Sequence, residues 1–289
     1  VIGKGAHAIG EPSLRGCAFR FFKACEMVNP GAVESNFQYV SMWKVLSGDR
    51  PGVDLVDRPG MSVCWADSAF PFWNALFLTD RIGHADDLSA RLREGAGYMR
   101  AKRQAGLVYV CEDFLNPGLR GRIDDLAREA GLEYAIDVFG MAGDVPRSRQ
   151  MSDTPLEFRR VTDEAALKAY GEINAQGYGF PLEAGQEALR GSEFWKSTAY
   201  AFIGYEAGRA VSTAAAIVNE GQLYLALVAT LPDAQRKGYG YATVCHALQA
   251  AHDATGLTRT TLHATQAGFP VYQRAGYRRT TLFLTYKLA

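Results

Sequence analysis

Leu225-Ala-Leu-Val-Ala-Thr-Leu-Pro-Asp-Ala-Gln-Arg-Lys-Gly-Tyr-Gly-Tyr-Ala242 decides how this chain is read. An apolar strand, Gln222 to Leu231, stops at Pro232; a loop holding Gly238 and Gly240 follows, and helical periodicity runs from about Tyr239 to Ala254. Strand, glycine loop and helix in direct succession make a cradle for phosphate. The two glycines let backbone come close to a ligand. The first N–H groups of the helix have no carbonyl partners and lie at the positive end of its dipole. Spacing excludes two common ligand loops. A Walker A loop needs Lys-Ser/Thr where Tyr241 and Ala242 follow Gly240, and a dinucleotide fingerprint needs a third glycine where Thr243 stands.

Working outward, Leu156–Arg160, Tyr200–Glu206 and Ala210–Asn219 read as strands, the last two joined at Gly208. Thr162–Gln176 is an amphipathic helix carrying Ala166, Leu167, Tyr170 and Ile173 on one side. After the cradle come a strand over Thr260–Ala264, a short helix over Phe269–Ala275 and a strand over Tyr277–Leu288 with Leu282, Leu284, Tyr286 and Leu288 on one face. Upstream, Gly143–Pro155 is polar, holds two prolines and reads as a linker. Before it the spacing predicts helices at Phe19–Met27, Phe37–Leu46, Asp86–Arg103 and Arg120–Ala130, and strands at Met61–Trp65, Asn74–Thr79, Leu107–Val110 and Tyr134–Phe139. The order of elements in this first half shadows the second, which predicts two domains, 1–153 and 154–289.

Gln235-x-x-Gly238-x-Gly240 at a strand end resembles motif A of the GNAT superfamily of N-acetyltransferases. His263-Ala-Thr-Gln-Ala-Gly-Phe-Pro-Val-Tyr272-Gln-Arg-Ala-Gly276-Tyr277 is similar to motif B of the same superfamily, at the usual separation. The resemblance covers about Leu156 to Ala289. It implies an α/β (α+β) fold of two GNAT-like halves, each a mixed, mostly antiparallel sheet flanked by helices.

It also implies acetyl-CoA as cosubstrate, with an amine attacking the thioester directly. The backbone of Val228, Ala229 and Thr230 would pair with the pantetheine arm. Gln235, Arg236, Lys237, Gly238, Tyr239, Gly240 and Tyr241 would wrap the diphosphate, chiefly through main chain, with one of Arg236 and Lys237 adding charge. A backbone N–H near Val228 would stabilise the oxyanion. Tyr272 would protonate the leaving thiolate, a modest mismatch between ~10 for a free tyrosine and ~8.5 for a thiol; the plain alternative is a core aromatic. His263 reads as a packed histidine, with a general-base role as the lesser option, and Cys245 as a small core residue. An amine base is needed; Glu172 and Glu183, flanking Gly177–Pro181, and a water chain all remain open.

The first half lacks this equipment. After Asn74–Thr79 the chain reads Asp80-Arg-Ile-Gly83-His84, with one glycine, and Ala127 stands where the second half has Tyr272. That resembles the tandem members of the superfamily, in which one repeat has lost its cofactor site. The first half is expected to bury surface against the second and help shape the acceptor pocket. The Ala69-Phe-Pro-Phe-Trp-Asn74 cluster reads either as a wall of that pocket or as a core strand with a proline at its entry.

The whole-chain arithmetic agrees. Of 289 residues 48% are hydrophobic, enough for packed domains rather than disorder. Thirty-one basic side chains against 31 acidic ones leave no net charge to draw nucleic acid. No apolar run reaches the ~18 residues of a membrane span. Val1–Gly10 is glycine-rich and does not read as a secretory signal. Five cysteines without a Cys-x-x-Cys pair fit neither a disulfide framework nor zinc, and no metal motif is present, so a reducing cytoplasm is expected. The expectation is a cytoplasmic acetyl-CoA-dependent N-acetyltransferase acting on a small-molecule or peptide amine, with a homodimer left open. The alternative is a non-catalytic CoA-binding sensor on the same fold.

Overall fold

The computed structural model describes residues 29–146 and 154–289; the helix expected at Phe19–Met27 and most of the expected linker lie outside them. The first part runs α1 (Pro30–Gly48), β1 (Asp54–Arg58), β2 (Met61–Trp65), β3 (Asn74–Leu78), α2 (Ala85–Arg100), β4 (Leu107–Cys111), α3 (Pro117–Arg120), α4 (Ile123–Glu129) and β5 (Leu132–Asp144). The second runs β6 (Leu156–Arg160), α5 (Glu164–Tyr178), α6 (Leu182–Leu189), β7 (Tyr200–Glu206), β8 (Arg209–Asn219), β9 (Gln222–Thr230), α7 (Tyr239–Thr255), β10 (Arg259–Thr265), α8 (Phe269–Arg274) and β11 (Arg278–Leu288).

Alternation along the strands builds the layers, because successive side chains leave opposite faces of a sheet. Ala75 and Phe77 of β3, Tyr109 of β4 and Tyr224 and Ala226 of β9 share one core with Tyr39 and Met42 of α1 and Leu167 and Tyr170 of α5. Their neighbours Leu76, Leu78, Val108 and Val110 face Leu88 and Leu92 of α2 and Leu126 of α4. Leu223 and Leu225 face Val244 and Leu248 of α7 and Tyr272 of α8. The sheet is therefore sandwiched between α1, α5 and α6 on one side and α2, α4, α7 and α8 on the other.

The strands form one 11-stranded sheet in the order β1-β2-β3-β4-β11-β5-β10-β9-β8-β7-β6. Among the described residues only β3 with β4 and β9 with β10 are parallel pairs, each joined through a crossover helix, α2 or α7. The expected mixed, mostly antiparallel character is present, but a single sheet serves both parts. Its centre is an exchange: β5 pairs with β10 and β11, and β11 pairs with β4 and β5. The boundary near residue 153 therefore does not divide two sheets. Gly143 and Asp144, expected in a linker, continue β5 and pair with Thr260 and Arg259 of β10.

Further ties cross between the parts on the α1 face. Trp73 Nε1 donates to the carbonyl of Ala188 (3.0 Å), Ser68 Oγ to Glu187 (2.7 Å), and Arg50 to the carbonyl of Arg190 (3.1 Å). The Phe70–Trp73 cluster forms a short 3-10 turn at Pro71–Trp73 rather than a strand.

Candidate active site

The parallel ladder between β9 and β10 ends where Leu225 meets Leu262, although β9 continues to Thr230. Beyond that point the two strands diverge. The fork so made leads to a cleft of about 410 Å³ lined by Val228, Ala229, Thr230, Gln235, Arg236, Gly238, Tyr239, Gly240, Tyr241 and Tyr272, with Tyr178 and His263 among the remaining walls. The residues expected to hold the cosubstrate, except Lys237, thus meet at one opening with Tyr272.

A bulge shapes the fork. Thr213 of β8 opposes Ala229 and Ala215 opposes Ala226, so β9 holds one extra residue, and Leu227 takes a φ of 45°. Its carbonyl accepts from Tyr170 Oη (2.9 Å) and Thr213 Oγ1 (3.3 Å), and that of Val228 from Tyr178 Oη (3.0 Å). A trans peptide sets the N–H opposite to the preceding C=O. With the Leu227 carbonyl turned to α5 and β8, the Val228 N–H is turned away from both, toward the side where β10 has parted. Tyr170 and Thr213, which fix this peptide, carry no local sequence signal; Tyr178 lies in the Gly177–Pro181 segment between the two candidate glutamates.

The loop after β9 reaches α7 through Arg236 at φ 64° and Gly238 at φ 82°, both left-handed. Gly238 caps α7 without a side chain, and a Cβ there would meet nothing within 4 Å. The helix N-terminus thus faces the cleft with open space before it. At Gly240 a Cβ would lie 2.9 Å from Thr230 Oγ1, so the approach of α7 to β9 depends on glycine. A cradle whose backbone donors are uncapped and whose floor tolerates no extra methyl fits a diphosphate. Arg236 stands at its mouth. Lys237 does not: its ammonium is 3.3 Å from Glu206, which also accepts from the Tyr239 hydroxyl. Of the two basic side chains, Arg236 is the one the cleft retains, and Tyr239 lines it with its hydroxyl tied behind.

Tyr272, on α8, stands across the fork and is buried. Burial pushes its hydroxyl well above the usual tyrosine range, reinforced by Tyr178 and Tyr277. The small mismatch with a thiol expected from the sequence is therefore larger: Tyr272 holds its proton more tightly than a thiol holds its own. His263 on β10 is half-buried and stacks on Tyr39 at 3.6 Å; its Nε2 lies 2.9 Å from Ser35 Oγ and its Nδ1 2.7 Å from Tyr224 Oη. Burial holds it well below the ordinary histidine value, so the ring is neutral with both nitrogens occupied. Neither Glu172 nor Glu183 lines the cleft. Glu172 is held by Gln186 and Lys168. Cys245 is a buried side chain on α7 whose thiol burial pushes up.

The matching place in the first part is shut. After β3, Ile82 forms a parallel bridge with Leu115, donating to Phe114 O (2.8 Å) while its carbonyl accepts from Asn116 N (2.9 Å). That single bridge ties the chain after β3 to the chain after β4, and Ile82 is only 1% exposed.

The fold with its open fork is similar to that of the GNAT acetyltransferases, as comparison with known proteins shows. Residues 172–282, from within α5 to within β11, match the family model of the acetyltransferase (GNAT) domain. Among solved structures, a GCN5-related N-acetyltransferase from Kribbella flavida superposes with a TM-score of 0.64 at 17% identity, covering 90% of this chain and 96% of its own. A GCN5-related N-acetyltransferase from Sphaerobacter thermophilus gives 0.57 at 13% identity, over 89% and 92%. A functionally unknown conserved protein from Staphylococcus epidermidis gives 0.60 at 10%, over 86% and 98%. At such identities the likeness is one of fold. No curated protein matches the sequence. Among the described residues no helix is long and apolar enough to cross a membrane.

Proposed function

We propose that the chain is an acetyl-CoA-dependent N-acetyltransferase whose reaction takes place at the β9–β10 fork. The observation that carries this reading is the conjunction at one cleft of a strand edge without a ladder partner, an uncapped helix N-terminus behind two left-handed residues, and a buried tyrosine opposite. When bound, acetyl-CoA supplies the acetyl thioester. The main chain of Val228, Ala229 and Thr230 offers the edge along which its arm extends, and Gln235, Arg236 and the turn from Gly238 to Tyr241 hold the diphosphate. The Val228 N–H would donate to the thioester oxygen as negative charge develops on it, without a side chain having to reorganise. Tyr272 would donate its hydroxyl to the departing sulfur; because tyrosine is the weaker acid of the two, the proton passes over only if the proton shed by the attacking nitrogen restores the hydroxyl, so that amide and thiol form with the tyrosine unchanged.

The closed bridge at Ile82 and the alanine at position 127 support a division of labour in which 154–289 holds the cosubstrate and 1–153 supplies structure and walls. The described cysteines, Cys64, Cys111 and Cys245, are buried free thiols, which suits a reducing cytoplasm.

Calorimetric titration with acetyl-CoA tests the reading. Saturable one-to-one binding is expected, followed by thiol release when a suitable amine is added. Absence of binding refutes it; binding without transfer to any amine marks a sensor that has kept the fold.

A further inference from the structure

Two further hollows open from the fork on the α1 and α5 side, and both share Tyr178 and Thr265 with the cleft. The inner is a neck of about 70 Å³ between Val228, Tyr272 and the aromatic rings around His263. The outer is a chamber of about 670 Å³ reaching solvent. Phe72, Tyr178 and Phe180 form its wall, meeting edge to face: Phe72 lies 5.1 Å from Tyr178 and 5.3 Å from Phe180. Leu107 and Ile136 extend this wall from the first part of the chain. At the rim Tyr134 and Ile136 leave 47% and 37% of their surface in water, apolar area that stands unmatched at the mouth of a pocket.

The charge inventory of the chamber is short. Asp137 and Lys287 are its acidic and basic lining groups, and Lys287 is 3.0 Å from Glu133. Chamber, neck and cleft succeed one another, so a molecule seated on the aromatic wall can pass a short arm inward toward Val228 and Tyr272.

Resting on the function proposed above, we infer that the acceptor is a primary amine borne on a flat apolar body, an arylalkylamine in chemical class, seated between Phe72, Tyr178, Phe180 and Ile136 with its nitrogen directed down the neck. Ring faces and edges reward an aromatic body by stacking and by burial of its surface. A sugar or aminoglycoside would leave hydroxyls without partners on such a wall, because a buried polar group that loses water needs a replacement bond. A polyamine needs several anions and meets one carboxylate. The first part of the chain thus contributes to substrate choice through Phe72, Leu107 and Ile136.

The test is an acetyl-CoA-dependent thiol-release assay on the whole chain with 2-phenylethylamine, hexylamine, glucosamine, kanamycin and spermidine, alongside calorimetry of acetyl-CoA. The expected result is a kcat/KM for 2-phenylethylamine at least about 10-fold above the hydrophilic amines. Phe72→Ala should raise its KM by about 10-fold with acetyl-CoA affinity unchanged. Ile136→Gln, a change at the exposed rim that leaves the core intact, should raise KM in the same direction. Acetyl-CoA binding together with a preference for the hydrophilic amines, or with no turnover of the apolar ones, overturns this inference and leaves the proposed function standing. Absence of acetyl-CoA binding overturns both.

Discussion

Gly240→Ala offers the sharpest trial of the phosphate cradle. The added methyl would stand 2.9 Å from Thr230 Oγ1, about half an ångström inside the 3.4 Å at which ordinary contact begins, and no other atom lies within 4 Å. The clash is relieved either by turning the threonine hydroxyl into the cleft or by backing the first turn of α7 away from β9. Both moves spoil the surface that would meet the diphosphate. Overpacking of this kind costs about 1–3 kcal/mol, which as lost binding raises the acetyl-CoA dissociation constant about 5- to 150-fold. Alanine is a better helix former than glycine by up to ~1 kcal/mol, so the melting temperature should stay within a few degrees of the parent. Because Oγ1 is the one atom in the way, Gly240→Ala combined with Thr230→Ala should recover most of the lost affinity, while Thr230→Ala alone should cost little. Calorimetry on the four proteins decides. Parental affinity in Gly240→Ala, or a double variant as weak as the single, would refute the placement of the cradle.

Tyr272→Phe is expected to lower kcat by ~100-fold or more with acetyl-CoA affinity changed less than about threefold, read from steady-state kinetics and calorimetry; an unchanged kcat would return Tyr272 to a packing role. Burial keeps His263 neutral in the folded chain, so unfolding takes up a proton below the ordinary histidine value of ~6.5, and stability present above that pH is lost as pH falls. From pH 8 to 5.5 this one group should remove about 1.4 kcal/mol, His246 acting in the same direction, and a urea midpoint that does not fall over that range would contradict it. Residues 154–289 expressed alone would lack β5 between β10 and β11, and should be insoluble; a soluble, acetyl-CoA-binding fragment would show that the exchanged strand is dispensable.

The second part of the chain was legible to within a residue or two because its signals are local. Leu156–Arg160 coincides with β6, and the helix expected over Tyr239–Ala254 runs to Thr255 and its glycine cap. Where meaning depends on distant partners, the sequence misled. Gly143 looked like punctuation, yet it extends β5 where Tyr277 packs close: a Cβ there would come within 3.3 Å of the Tyr277 backbone. Gly140 is of the same kind, since a Cβ would sit 2.2 Å from Ser35 Oγ. Strand β1, Asp-Leu-Val-Asp-Arg, is an exposed edge without buried alternation and passed unseen, as did α6. The backbone cradle could be read because spacing encodes it. The bulge pinned by Tyr170, Thr213 and Tyr178, and the wall made with Phe72 and Ile136, arise only when elements far apart in the chain meet.

The interleaving of β5 and β11 also sets a timetable for biosynthesis. When Asp144 emerges from the ribosome, β4 and β5 stand apart with a strand-wide gap between them, and only Arg278–Leu288 fills it. At about 5–20 residues per second the intervening chain takes roughly 7–27 s to appear. Throughout that interval Leu-Val-Tyr-Val-Cys of β4, which carries no charge and ends up wholly buried, offers a bare hydrogen-bonding edge to any neighbouring nascent copy. An unshielded edge of this kind is expected to favour pairing between nascent copies until the closing strand arrives.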